Sequence, residues 1–102
     1  MHRLRAMACG YARRFPAGND PFQMVTRLLE ECGEVASEVN RWEGSGIKRQ
    51  KHGEPSGADL ANEIRQALVA LVQIAAHYGV EEEIDLSIAS SLARMRAEGL
   101  ID

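Results

Sequence analysis

The chain has 102 residues, and 15 Asp and Glu against 12 Lys and Arg give it a net charge of −3. A nucleic-acid-binding domain usually carries an excess of basic residues, so this charge argues against that class of protein. Because the chain is long enough for one hydrophobic core and contains no apolar run as long as a membrane span, we expect a single cytoplasmic domain, residues 1–102, that binds neither nucleic acid nor a membrane.

The N-terminal segment has only a weak pattern. Its apolar residues Leu4, Met7 and Tyr11 recur at helical spacing, but Gly10 weakens a helix at this place. We therefore predict that residues 1–19 are weakly structured or form a short helix.

A strong helical pattern begins after Asp20 and Pro21. Aspartate is a preferred N-cap residue, and proline is favoured at the first helical position. The apolar residues that follow keep a helical period for about six turns, which predicts a helix over about residues 21–43. The stripe that we expect to face the core consists of Val25, Leu28, Cys32, Val35, Val39 and Trp42.

The same helix carries an acidic edge beside this stripe. At about 100° per residue, Glu31, Glu34 and Glu38 fall within a sector roughly 60° wide. Like charges one turn apart repel, so their grouping needs a physical reason, and a divalent cation bound by carboxylates from successive turns supplies one. The alternative is a solvent-exposed acidic face, on which Arg27 pairs with Glu31 and Arg41 pairs with Glu38.

The next segment, residues 44–58, is predicted to be a basic, Gly-rich loop. A second long helix is predicted over residues 59–78, capped by Ser56 or Asp59 and ended by Gly79. Its polar edge contains Glu63 and Gln66, which could face the acidic edge of the first long helix if the two helices pack antiparallel.

The last predicted helix spans residues 81–98. Its apolar positions, expected to face inward, are Ile84, Ile88, Leu92 and Met95. The chain has no alternating pattern that is typical of strands. The predicted fold class is therefore all-α, a helical bundle that is completed by oligomerisation because a few helices leave apolar surface uncovered.

Two acidic motifs together resemble a known family. Glu30-Glu31-x-x-Glu34, followed after a spacer by Glu63-x-x-Gln66, is similar to the EExxE and ExxD motifs of the MazG-like nucleotide pyrophosphohydrolases in the all-α NTP pyrophosphatase superfamily. The similarity covers roughly residues 20–98. It implies an enzyme that hydrolyses nucleoside triphosphates to a nucleoside monophosphate and pyrophosphate and so removes unwanted nucleotides. It also implies Mg²⁺ as the cofactor, with Mn²⁺ as a substitute, and a homodimer or homotetramer.

The resemblance also assigns roles by position. The implied metal ligands are Glu31, Glu34, Glu63 and Gln66. The implied general base for the attacking water is Glu30. The candidate contacts to the substrate phosphates, from the basic loop, are Lys48, Arg49 and Lys51. Trp42 is a candidate for stacking on the base, although its place in the apolar stripe favours a contact in the core or in a dimer.

Gln66 departs from the family pattern, which has aspartate at this position. A neutral amide offers one carbonyl oxygen and no charge, so weaker metal binding is expected. This leaves an alternative: a MazG-like scaffold, catalytically weak or inactive, that binds nucleotide or metal or acts only as an oligomeric interaction module. A third interpretation is an unrelated helical protein that binds a partner and whose acidic edges are only solvated.

Overall fold

The computed structural model describes residues 1–44 and 54–102, and every regular element in these two ranges is helical. The elements are α1 (His2–Arg14), a short 3₁₀ turn (Pro16–Gly18), α2 (Pro21–Trp42), α3 (Gly57–Tyr78) and α4 (Glu81–Ala97). The all-α prediction is therefore confirmed for the described residues. In these ranges, no helix has the length and apolar content needed to cross a membrane.

Local capping fixes the start of α2. The Asp20 side chain accepts a hydrogen bond of 3.0 Å from the backbone N–H of Gln23, and Pro21 occupies the first turn. Both features agree with the prediction. Because a capping carboxylate satisfies one of the unpaired N–H groups of the first turn, it stabilises the helix at this end.

The bounds of α3 are also set by its caps. The Ser56 hydroxyl accepts a hydrogen bond from the backbone N–H of Asp59, so Ser56 is the cap and the helix begins at Gly57, two residues before the predicted start. At the other end Gly79 has φ of 65°, a left-handed conformation that glycine adopts without steric strain. The predicted end of this helix is confirmed.

The first helix packs on α3. Ala8 of α1 is buried against Val69 and Val72, and the larger side chains of Met7 and Tyr11 cover this cluster. The helix continues through Gly10, where an added Cβ would meet no atom within 4 Å. The N-terminal segment is thus an ordered helix that forms one wall of the fold.

The long helices α2 and α3 pack together in antiparallel orientation. Arg41, near the end of α2, bonds to Asp59, near the start of α3. Met24, near the start of α2, lines a surface cavity together with Gln73 and Ala76, near the end of α3. The antiparallel arrangement places the polar edges of the two helices side by side.

The face that α2 turns toward its neighbours differs from the prediction. Its buried residues are Met24, Glu38 and Arg41. Of the predicted inner stripe, only Leu28 and Val35 are half-buried, whereas the other residues are exposed: Val25, Cys32, Val39 and Trp42. This part of the prediction is wrong because α2 has apolar residues over much of its circumference, and a buried ion pair occupies positions that hydrophobicity assigns to the surface.

The last helix lies apart from the others. Ile88 and Met95, which were expected to face inward, have 48% and 41% of their surface exposed. An ion pair of 3.2 Å between Arg5 and Glu81 joins α1 to the start of α4. Its open position contributes to a radius of gyration of 16.7 Å, against about 13 Å for a compact domain of this size.

Candidate functional site

A cavity of about 300 Å³ lies where α1, α2 and α3 meet. It is built from Tyr11 at the end of α1 and from Phe15 just after it. Arg27 and Glu31 line it from α2. The α3 side consists of Gln66, Val69, Ala70 and Gln73. One cavity therefore combines two residues of the implied metal set, Glu31 and Gln66, with an arginine and two aromatic rings.

Glu31 is the titratable group at this cavity whose pKa is shifted. Its carboxyl oxygen Oε2 is buried and has no hydrogen-bond partner in residues 1–44 and 54–102. Burial raises the pKa of Glu31, and the negative charges of Glu63, Glu34 and Glu30 raise it further, whereas Arg65 opposes them. A half-buried carboxylate facing other carboxylates is a position that a bound cation would stabilise.

The salt bridge that could explain Glu31 as an ordinary surface residue is not formed. The Arg27 guanidinium donates instead to the carbonyl oxygen of Gly18, and the described part of the chain has no ion pair between Arg27 and Glu31. At Glu31, the interpretation as a solvated acidic face therefore lacks the ion pair with Arg27 that it predicts.

Glu38, unlike Glu31, forms the ion pair that the sequence predicts for it. Its carboxylate lies 3.2 Å from the Arg41 guanidinium, which also contacts Asp59 at 2.8 Å. Glu38 and Arg41 are 2% and 4% exposed, so the predicted pair exists but is buried rather than solvated. The acidic edge thus divides into a structural ion pair at Glu38 and an unpaired carboxylate oxygen at Glu31.

The remaining acidic candidates lie around Glu31 rather than inside the cavity. Glu63 is half-buried on α3 and close enough to raise the pKa of Glu31. Glu34 and Glu30 are exposed, and Glu30 lines a neighbouring depression that also includes Arg27. In the described ranges, no three His, Cys, Asp or Glu side chains lie in an arrangement that could hold a metal ion.

The other predicted site residues are not part of this cavity. Lys48, Arg49 and Lys51 lie outside the described residues. Trp42 stands at the last position of α2 and does not line the cavity. It lies about 16 Å along the helix axis from Glu31, at 1.5 Å per residue.

Four residues at or near the site were missed by the sequence analysis: Tyr11, Phe15, Arg65 and Gln73. Tyr11 was predicted only as part of a helical stripe. Gln73 carried a usable signal, because it follows Gln66 by seven residues and therefore lies on the same side of α3 two turns later. Arg65 lies near Glu31 and donates to Asn62 Oδ1 at 2.7 Å.

The chain matches no protein-family model, no curated protein and no solved structure. The resemblance of the two acidic motifs to the MazG-like enzymes therefore stays a prediction. What supports a function is the cavity itself: an unpartnered carboxylate oxygen, an amide, a guanidinium and two aromatic rings in one small volume.

Proposed function

We propose that this chain is a MazG-like nucleoside triphosphate pyrophosphohydrolase that uses Mg²⁺, or Mn²⁺ in its place, to produce a nucleoside monophosphate and pyrophosphate. The observation that carries the proposal is the buried, unpartnered Oε2 of Glu31 in a cavity that Gln66 also lines. Glu31 belongs to the first acidic motif and Gln66 to the second, so the fold joins the two motifs that carry the family resemblance.

The side chains at this cavity suit Mg²⁺. In nucleotide enzymes this ion is usually held by one or two carboxylates together with substrate phosphates, and it keeps several waters. Glu31 and Glu63 supply the carboxylates in this proposal, Gln66 supplies a neutral oxygen, and Glu34 stands one turn from Glu31. Such a site needs no dedicated cage of three protein ligands.

The chain's own residues supply the rest of the chemistry. Bound Mg²⁺ would neutralise phosphate charge and favour attack at phosphorus. In this proposal Arg27, which lines both the cavity and the neighbouring depression, binds phosphate oxygens through its guanidinium. Glu30 lines that depression and accepts the proton of the attacking water. The water oxygen bonds to the α-phosphorus as the bond to pyrophosphate breaks.

Gln66 favours a second candidate function. It stands in the cavity as a neutral group, so the site has one negative charge fewer than the family motif provides. A cation bound more weakly would leave a protein that holds nucleotide or metal and turns it over slowly or not at all. The variant Gln66→Asp separates the two candidates, because it restores the missing charge at the same position.

We also propose that the chain works as a homodimer or a homotetramer. Two helices leave apolar side chains exposed at helical spacing: Phe22, Val25, Leu29 and Val39 on α2, and Ile64, Leu68 and Leu71 on α3. At 1.5 Å per residue, these residues span about 26 Å of α2 and about 10 Å of α3. Stripes about 10 Å wide then give roughly 360 Å², so neighbouring residues have to supply the rest of the ~800 Å² per partner of a stable interface. A second copy of the chain offers the same apolar stripes and covers both surfaces.

The proposal is tested by product analysis. The purified protein is incubated with ribo- and deoxyribonucleoside triphosphates in Mg²⁺ or Mn²⁺, together with the variants Glu31→Gln and Glu34→Ala. The matched control is Glu98→Gln, the same change as at Glu31 but at an exposed carboxylate at the end of α4. We expect monophosphate and pyrophosphate from the wild type and the control, and a loss of about 100-fold or more in Glu31→Gln.

Two results would contradict the proposal. Release of inorganic phosphate instead of pyrophosphate would mean another reaction. No turnover of any triphosphate by the folded protein, with turnover restored in Gln66→Asp, would favour the binding scaffold over the enzyme.

A further inference from the structure

Part of the cavity lining carries no charge, and we call it the aromatic end. Tyr11 and Phe15 supply its aromatic rings, and Val69 and Ala70 supply further apolar side chains. The Arg14 guanidinium lies 5.6 Å from the centre of the Phe15 ring, a cation–π contact that helps to orient that ring. Neither the metal nor the phosphates require such a surface.

Gln73 is the polar group at this end. Only 6% of the residue's surface is exposed, and Gln73 lines the cavity without a side-chain hydrogen bond to any other residue in 1–44 and 54–102. An amide at such a position is able to bond to a ligand in the cavity. Because the amide offers a donor and an acceptor side by side, a ligand that presents the complementary pair would satisfy both.

The distances along α3 fit one extended ligand. Gln66 and Gln73 both line the cavity and are seven residues apart, which corresponds to about 10 Å along the helix axis. Arg27 lines the same cavity from α2, one turn before Glu31. The cavity thus combines a candidate cation site, a candidate phosphate contact, two aromatic rings and an amide.

We propose that the aromatic end, formed by Tyr11, Phe15 and Gln73, binds the nucleobase of the substrate, with the rings stacking on the base and the Gln73 amide bonding to a base edge that carries a donor beside an acceptor. This inference rests on the proposed function, since it takes the acidic end as the site of the phosphates. Aromatic side chains that stack on bases are sequence-tolerant, so the Gln73 amide provides the discrimination.

Nucleosides without phosphate test the pocket independently of metal and catalysis. Adenosine, guanosine, cytidine and uridine are added one at a time to the isotope-labelled protein in buffer containing EDTA, and the NMR signals of the Gln73 side-chain amide and the Tyr11 ring are followed. We expect at least one nucleoside to shift both signals. Shifts of Cys9 and His77 instead would overturn the proposal, because these residues line the separate cavity on the other side of Gln73.

Paired variants identify the contacts. Tyr11→Leu should weaken nucleoside binding by about tenfold or more, whereas Tyr11→Phe, which keeps the ring, should bind like the wild type. If Tyr11→Leu does not fold, Phe15→Leu serves the same purpose, since Phe15 is 52% exposed. The matched control is Tyr78→Leu, at an exposed ring that does not line the cavity. Unchanged binding in both leucine variants of the pocket, Tyr11→Leu and Phe15→Leu, would overturn the proposal.

Two further measurements separate this proposal from the proposed function. Gln73→Met keeps the side-chain volume and removes the amide, so it should reduce the difference in affinity among the four nucleosides. Inorganic triphosphate with Mg²⁺ probes only the acidic end. A melting temperature raised by triphosphate, with no nucleoside shift, would overturn the base pocket and leave the hydrolase proposal intact. Nucleoside shifts in a protein without turnover would support the pocket and count against hydrolysis.

Discussion

Replacing Glu31 by glutamine should stabilise the metal-free protein at neutral pH. Burial first, and then the charges of Glu63, Glu34 and Glu30, raise the pKa of Glu31 above 4.5 in the folded state. Above this raised pKa the ionised carboxylate lowers the free energy of unfolding. Below 4.5, where Glu31 is protonated in both folded and unfolded states, the penalty disappears. The variant should therefore gain stability at pH 7 and lose its advantage as the pH falls.

The size of the effect combines the burial of Glu31 with the neighbouring charges. Each like-charge pair about one turn away contributes a few tenths of a kcal/mol, and solvent screens part of this and of the burial penalty because Glu31 is only half-buried, so the gain is about 1 kcal/mol. For a domain of this length, that corresponds to a rise in melting temperature of about 4–8 °C. Calorimetry at a fixed protein concentration, from pH 4 to pH 8 in EDTA, measures it.

The control for this experiment is Glu98→Gln, which removes an exposed carboxylate remote from the cavity. It should change the free energy of unfolding by less than about 0.5 kcal/mol. Added Mg²⁺ should raise the melting temperature of the wild type more than that of Glu31→Gln, since a cation that binds the folded state stabilises it. A lower melting temperature of Glu31→Gln at pH 7, or an equal gain at pH 4 and pH 7, would refute the reasoning.

Three other predictions concern different parts of the molecule. Arg41→Met should lower the free energy of unfolding by about 3 kcal/mol in denaturant titrations, because it removes the guanidinium from a buried Glu38; an unchanged midpoint would contradict this. Leu29→Glu should shift the sedimentation coefficient toward the monomer, since 67% of Leu29 is exposed on the proposed interface; an unaltered oligomer would place the contact elsewhere. Gln66→Asp should tighten Mg²⁺ binding in calorimetric titrations, and equal or weaker binding would exclude Gln66 from the cation site.

The positions of the helices follow from short-range chemistry, which is why the sequence predicts them well. Asp20 and Pro21 start α2, and Gly79 ends α3, through bonds and torsion angles within a few residues. The start of α3 was predicted two residues late because both Ser56 and Asp59 are good caps. Only the three-dimensional structure shows that Ser56 is the one that accepts the bond.

The orientation of the helices depends on long-range packing and was predicted less well. On α2 the pattern of hydrophobic residues allows two inward-facing sectors. The sector of Met24 and Glu38 is the buried one because α3 packs there. Glu31 and Gln66 could be expected to meet, since their motifs lie on polar edges of adjacent helices. Tyr11 and Phe15 could not be assigned to the cavity, because their place depends on where α1 docks on α3.

The ion pairs of Arg41 also determine the axial register of the two long helices. A pair of helices joined only by apolar side chains can slide by one turn, about 5.4 Å, and still bury similar surface. Here such a slip would pull Asp59 from the guanidinium, which it contacts at 2.8 Å. The same slip would carry Gln66 past Glu31. The contact between Arg41 and Asp59, near one end of the helix pair, therefore fixes the relative axial positions of Glu31 and Gln66, about two to three turns away.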